Sequence, residues 1–260
     1  VGRLGSPLEL RGTAFRRACS AADLVAVEVP RAWQACLPAG AQLRMPAWVS
    51  QELLAAGESP VTLPAPIRKE VRRQTRRNAY ELRFTTDVSD VRRFYAALYR
   101  PYVTARFGSG AVLVDEAQFL AVSRGMTLAM LTAAGDWVAG MLLQQRGATL
   151  HLGWFGSTTV PPRAGASEVL DAGSIAWGAA QGVSRVVMGH SRPSLADGVV
   201  RYKCRFGAIV RPTRFPQRTV GLWVQRWSPA LVASLNAAGF VSFRDGQACV
   251  YEAQPGAAAP

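Results

Sequence analysis

Apolar and polar positions along the chain recur in two periods, and the switches between them outline its elements. Asp23 to Val29 (DLVAVEV) alternates with period two, as a half-buried strand does, and Pro30 closes it. Pro46 to Leu54 reads as a second short element. Glu58 to Pro66 (ESPVTLPAP) carries three prolines and is the best boundary in the chain. Residues 67–78 (IRKEVRRQTRRN) have apolar side chains only at Ile67 and Val71, which predicts a basic helix with a thin apolar stripe. Tyr80 to Thr86 follows as a strand with Leu82 and Phe84 on one face. In SDVRRFYAALYRPY, Val91, Phe94, Tyr95 and Leu98 form a helical stripe, Asp87 or Ser89 can cap it, and Pro101 bends or ends it.

Asp115 caps a further helix, Glu116 to Arg124, stopped by Gly125. Three strands with short turns come next: Met126 to Ala133, Trp137 to Gln145 and Thr149 to Gly156. The loop Ser157 to Gly165 opens a helix from Ala166 to Gln181, and Val183 to Met188 is a buried-strand run. A short helix (Val199 to Phe206), two strands (Ala208 to Arg214, Thr219 to Gln225), a helix (Pro229 to Ala238) and a strand (Gln247 to Glu252) complete the pattern. From residue 80 the order suits an α+β fold: a mixed, largely antiparallel sheet flanked by helices, with a parallel pair around the Ala166 helix.

Charge adds a second layer. The 260 residues are 49% hydrophobic and carry a net +13. Two segments hold all of it. Residues 68–83 contain seven basic and two acidic side chains, and residues 198–244 contain eight basic and no acidic ones. Localised positive charge attracts phosphates, nucleic acid or anionic lipid without choosing among them. Only Lys69 and Lys203 are lysine, so a lysine retained among arginines hints at a need for a compact ammonium.

Several classes of function find no support. Cys19, Cys36, Cys204 and Cys249 form no C-x-x-C pair, and two histidines with dispersed acids offer no metal-ligand spacing. No serine sits in a G-x-S-x-G elbow, and a dinucleotide-binding fingerprint is absent. The most apolar run, Met126 to Leu143, is broken by Gly135 and Asp136, which argues against a membrane span. The N-terminus lacks a basic-then-apolar leader, so a cytoplasmic protein is expected, although the chain begins with Val.

Three segments carry a family resemblance: LPAPIRKEVRRQTRRNAYELRF, DVRRFYAALYRPYVTARFG, and above all GVSRVVMGHSRPSLADGVVRYKCRFGA with its Y-K-x-x-F-G pattern. Over residues 62–215 the sequence resembles the GNAT acyltransferase superfamily, in its FemAB-like branch. The resemblance implies a partial N-terminal lobe, truncated or degenerate, over residues 1–62 and a GNAT-like acyltransferase domain over residues 63–254. It also implies an acyl donor, acetyl-CoA or another acyl-CoA, lying where the fourth and fifth strands of that domain splay. The cofactor pyrophosphate would rest before the next helix, at Arg163, Gly165, Ala166 and Ser167. Their spacing departs from the family's Q/R-x-x-G-x-G/A, but a helix N-terminus still presents free N–H groups to an anion.

The same resemblance proposes His190 as general base, since an imidazole is near-neutral in its titration; a structural loop histidine is the alternative. Asp197 either orients an acceptor or caps the following helix. Lys203 is the cation of RYKCR singled out for catalysis. Ser191, Arg201 and Tyr202 join it toward substrate, with surface charge the other reading of Arg201. Tyr99, Arg106, His151 and Trp154 complete an acceptor cleft, with a packed sheet histidine the other reading of His151. The expected function is N-acyl transfer to an amine of a small-molecule or cell-envelope precursor, with no metal. An aminoacyl-tRNA-dependent ligase, with tRNA as partner, is one alternative. A non-catalytic binder of nucleic acid or another anionic polymer is the other.

Overall fold

The structure is a computed structural model and describes residues 6, 9–10, 12–37, 39–57, 59–111, 113–213 and 218–254. The first elements are α1 (Thr13–Ser20), β1 (Leu24–Pro30), β2 (Leu43–Pro46) and β3 (Val49–Leu54). The single element expected over Pro46 to Leu54 is thus the end of one strand and the whole of another. α2 (Ala65–Asn78) places Pro66 in its first turn, where a missing N–H costs nothing. β4 (Tyr80–Thr85) leads to α3 (Val88–Phe94), which Asp87 caps by accepting the Ser89 amide at 2.7 Å. Pro101 does not end this helical run. The backbone widens into a π turn over Tyr95–Tyr99 and continues as α4 (Arg100–Phe107), with Pro101 in its first turn. The wide turn absorbs the hydrogen bond that proline cannot donate.

α5 (Glu116–Val122), β5 (Thr127–Ala133), β6 (Asp136–Arg146), β7 (Thr149–Ser157), α6 (Ala166–Ala180) and β8 (Arg185–Ser191) follow as expected within a few residues. β8 runs on through His190 and Ser191, which the sequence had placed after it. The last elements are α7 (Gly198–Arg205), β9 (Ile209–Pro212), β10 (Arg218–Val224), α8 (Pro229–Ala238), β11 (Val241–Arg244) and β12 (Gln247–Val250). Glu58, at the start of the proline-bearing loop, and Arg214, at the end of the strand expected from Ala208, lie outside the described residues.

The chain divides into two compact units. The first gathers Val1–Gln51, His190–Cys204 and Ile209–Pro260; the second comprises Glu52–Gly189 and Arg205–Ala208. Residues 59–66, the proline-bearing loop, fall inside the second unit.

In the second unit the strands run in the order β4-β5-β6-β7-β8-β3. The pairs from β4 to β7 are antiparallel and β7–β8 is parallel, so the expected α+β fold with a mixed, mostly antiparallel sheet is the one found. Val91, Phe94, Leu98 and Tyr99 from the helical run and Phe119 of α5 pack with Leu128, Met130 and Leu142 of the sheet. Phe94 and Phe119 are fully buried. Phe84 of β4 stacks on Trp177 of α6, with ring centroids 5.3 Å apart.

In the first unit β10 lies between β1 and β2, antiparallel to both, so strands from the two ends of the chain share one sheet. Val27, Val29, Leu37 and Trp223 form its core. β11 and β12 make a hairpin whose turn residues Asp245 and Gly246 have φ of 51° and 78°, the left-handed pair of a tight hairpin.

Candidate functional site

β7 and β8 are register-paired at Thr149 with Arg185, Leu150 with Val186 and His151 with Val187; their pairing ends there. Past that point β7 stays on β6, while β8 runs on through Met188 and Gly189. A break in register follows at once. The β6–β7 pairs step from Leu143 with Leu152 to Met141 with Phe155, so Leu142 faces both Gly153 and Trp154. A bulge takes its extra residue out of the ladder, so peptide groups here are not all spent on cross-strand bonds. Gly153 is required: a Cβ there would stand 2.7 Å from the Leu142 carbonyl oxygen.

His151 occupies the last paired position and is half-buried. Burial, then the charges of Arg146 and Arg185, hold its titration below the ordinary 6.5, and Glu52 opposes them more weakly. The imidazole is therefore neutral at pH 7. Beside it Arg185 grips Glu52 through two hydrogen bonds, of 2.9 and 2.7 Å, with the Glu52 side chain only 7% exposed. Trp154 stacks on Tyr99 at 5.6 Å and lies 4.6 Å from Phe119, so Trp154 and Tyr99 belong to the aromatic core. Burial raises the Tyr99 phenol above its usual range. Arg106 donates to the Tyr102 hydroxyl and lies over the Tyr102 and Phe107 rings.

The turn into α6 is anchored from below. The Ala164 carbonyl accepts from Tyr80 Oη at 3.0 Å and Asn78 Nδ2 at 3.3 Å. Gly165 caps the helix at φ 75°, and a Cβ there would stand 2.6 Å from the Gln74 side chain. The Ala166 amide donates to the Arg163 carbonyl, and Val169 to that of Gly165. Burial raises the Tyr80 phenol; the Arg163 charge works against the rise and the Glu168 charge adds to it. Ala166 is fully buried, so Arg163 and the first-turn backbone are what the segment offers an anion, with Glu168 in the same turn opposing it.

In the first unit a second constellation stands by itself. Lys203, 8% exposed, donates to Gln51 Oε1 at 3.2 Å, Ser191 Oγ at 3.2 Å and the His190 carbonyl at 3.1 Å. Ser191 in turn donates to Gln51 Oε1 at 2.8 Å. Three acceptors match the three donors of an ammonium, the arrangement that burying one demands. Gln51 is fully buried, and its Nε2 has no partner among the described residues. The His190 side chain is exposed. Asp197 Oδ1 accepts the Val199 and Val200 amides at 2.8 and 3.0 Å and so caps α7. Arg201 is exposed and Tyr202 half-buried.

Sequence reasoning missed Gln51, Glu52 and Arg185. The signal was three consecutive polar residues, Ser50, Gln51 and Glu52, between the apolar Val49 and Leu53, since buried polar groups need partners. Among the described residues, no group of three or more His, Cys, Asp or Glu side chains could hold a metal. Among them, too, no helix is long and apolar enough to cross a membrane.

Neither a scan against protein-family models nor a search of curated protein sequences finds a match. Several solved structures are similar. L-PGS from Bacillus licheniformis is 13% identical with a TM-score of 0.49; the match covers 74% of this chain and 64% of that one. FemX is 9% identical with a TM-score of 0.48, over 84% of this chain and 78% of that one. The GCN5-related N-acetyltransferase from Sphaerobacter thermophilus is 16% identical with a TM-score of 0.44, over 76% and 66%.

Proposed function

We propose that the chain is an N-acyltransferase, moving an acyl group, acetyl in the simplest case, from an acyl-CoA to an amine. The acceptor class is a small-molecule or cell-envelope precursor. The observation that carries this reading is the parting of β7 and β8 after His151 and Val187, with a bulge in the freed part of β7. An extended acyl-pantetheine arm fits beside an unpaired strand edge, as a peptide does in strand addition. A backbone N–H of the bulged segment would donate to the thioester carbonyl and hold the oxyanion of the tetrahedral intermediate.

The amine nitrogen attacks the carbonyl carbon, the C–S bond breaks, and the thiolate leaves and is protonated. His151 accepts the proton that the amine gives up, because its imidazole is held neutral. Arg163 and the first turn of α6 would meet the donor's phosphates.

A second reading is an aminoacyl-tRNA-dependent ligase. It is favoured by the exposed cations Lys69, Arg72, Arg76 and Arg77 along α2. Calorimetric titration with a panel of acyl-CoAs, beside tRNA at several salt concentrations, separates the two. Saturable acyl-CoA binding supports transfer from a thioester. Binding of tRNA alone, falling steeply with salt, supports the ligase.

A further inference from the structure

A groove of about 560 Å³ runs between α2, β4 and α6 in the second unit. That size lies within the roughly 300–1,000 Å³ of small-ligand sites. Val61, Leu63 and Val71 form one wall; Leu82, Ala176 and Ala179 form the other. Along α6 the lining extends from Val169 to Ala179, about 15 Å at 1.5 Å per residue. Small residues keep that side low. A Cβ at Gly173 would stand 2.1 Å from Leu82 Cδ2, so the leucine lies flat across the helix only because residue 173 has no side chain.

The groove is long and apolar, and its mouth is charged. Arg68, Val71, Arg72 and Thr75 recur at i, i+3, i+4 and i+7, so one face of α2 brings two guanidinium groups to the rim. Among the described residues, no acidic side chain lines the groove. Arg68 Nη1 donates to the Leu63 carbonyl at 2.8 Å, which holds the head at the mouth with its other N–H groups available. Two exposed arginines at the end of an apolar slot complement a ligand with an alkyl body and an anionic head.

We propose that this groove binds one long acyl chain bearing an anionic head group, the chain lying along α6 and the head between Arg68 and Arg72. The site is separate from the parting of β7 and β8, and its occupancy does not depend on the transferase reading.

The test is displacement of fluorescent cis-parinaric acid from the full chain, below the micelle concentration of each competitor. The competitors are palmitate, palmitoyl-lysophosphatidate and the cationic cetyltrimethylammonium. At least one of the two anionic chains competes at one site per protein, at least tenfold better than the cationic one. Which anionic chain wins tells a free fatty acid from a phosphate-headed lipid. Ala176→Trp, at an exposed position that points into the groove, weakens binding at least tenfold, as does Arg68→Glu with Arg72→Glu. Arg77→Glu, on the same helix but off the groove, changes it less than twofold. If Ala176→Trp lowers the melting temperature, Ala179→Phe takes its place. Absence of binding, equal competition by the cationic chain, or binding untouched by the groove-filling variant overturns the proposal.

Discussion

His151 of β7 and Val187 of β8 are the last residues that the two strands pair. The pairing of neighbours ends there because β7 bulges at Gly153 and Trp154 just beyond, and a bulge bends the strand that carries it. The position of His151 makes its titration a direct probe of this region. Burial and two arginines disfavour the imidazolium, so the folded midpoint lies below 6.5. As pH falls, the unfolded chain takes up this proton first. The stability contributed is complete above about pH 6.5 and is lost as pH falls through the folded midpoint. Proton NMR should place the His151 midpoint below 6.5, and His151→Gln should flatten the acid-side slope of urea-unfolding stability. A His151 midpoint above 6.5 contradicts the assignment.

Glu52 and Arg185 form an ion pair with one partner buried and the other half in solvent. Removing one partner of a fully buried pair costs about 3–5 kcal/mol, and an exposed pair is worth about 0–1. Arg185 is 47% exposed, so Arg185→Ala should cost about 2 kcal/mol in chemical denaturation. Glu52→Gln, which keeps the shape and removes the buried charge, should cost less. Equal and negligible losses would show the pair to be ornamental to stability.

Lys203 ties Gln51, Ser191 and the His190 carbonyl together. Lys203→Met keeps the stem but removes the ammonium donor from all three oxygens, of which Gln51 Oε1 retains Ser191, at an expected cost of about 1–3 kcal/mol. If the ammonium also acts in the reaction, a melt cannot reveal it. Turnover per folded molecule, measured on the same variant, separates the two roles.

Gly165 combines a left-handed backbone with close contact to Gln74. Gly165→Ala should therefore destabilise by about 1 kcal/mol or more. Gln74→Ala in the same chain should recover only the part of the steric cost that comes from Cγ and Cδ, leaving the 2.7 Å approach to the residue 74 Cβ and the backbone part. A double-mutant cycle with no coupling would mean that the two residues do not touch.

The second unit was legible in the sequence because its elements follow one another in space as they do in the chain. The alternation over Thr149–Ser157 and the helical period over Ala166–Ala180 each located an element to within a few residues. The parallel pair then followed from strand, helix, strand. The first unit was harder. β1 pairs with β10 across nearly two hundred residues, and local periodicity carries no information about such a partner. The β11–β12 hairpin was visible in Asp245-Gly246 and was overlooked. The arginines and histidines were easy to notice, but Gln51 and Glu52 stand in a short polar run, and nothing local shows that the strand carrying it is buried on both faces. Trp154 and Tyr99, read as cleft residues, stack on each other, since an aromatic residue's place is decided by neighbours from other elements.

The central claim is that β7 and β8 part to receive an activated acyl donor. Amide hydrogen exchange of the whole chain, with and without saturating acetyl-CoA, tests it most directly. Slowed exchange over residues 152–157 and 163–168, with little change along residues 69–77, is the expected result. Exchange unchanged by acetyl-CoA throughout, or slowed only along residues 69–77, contradicts the account.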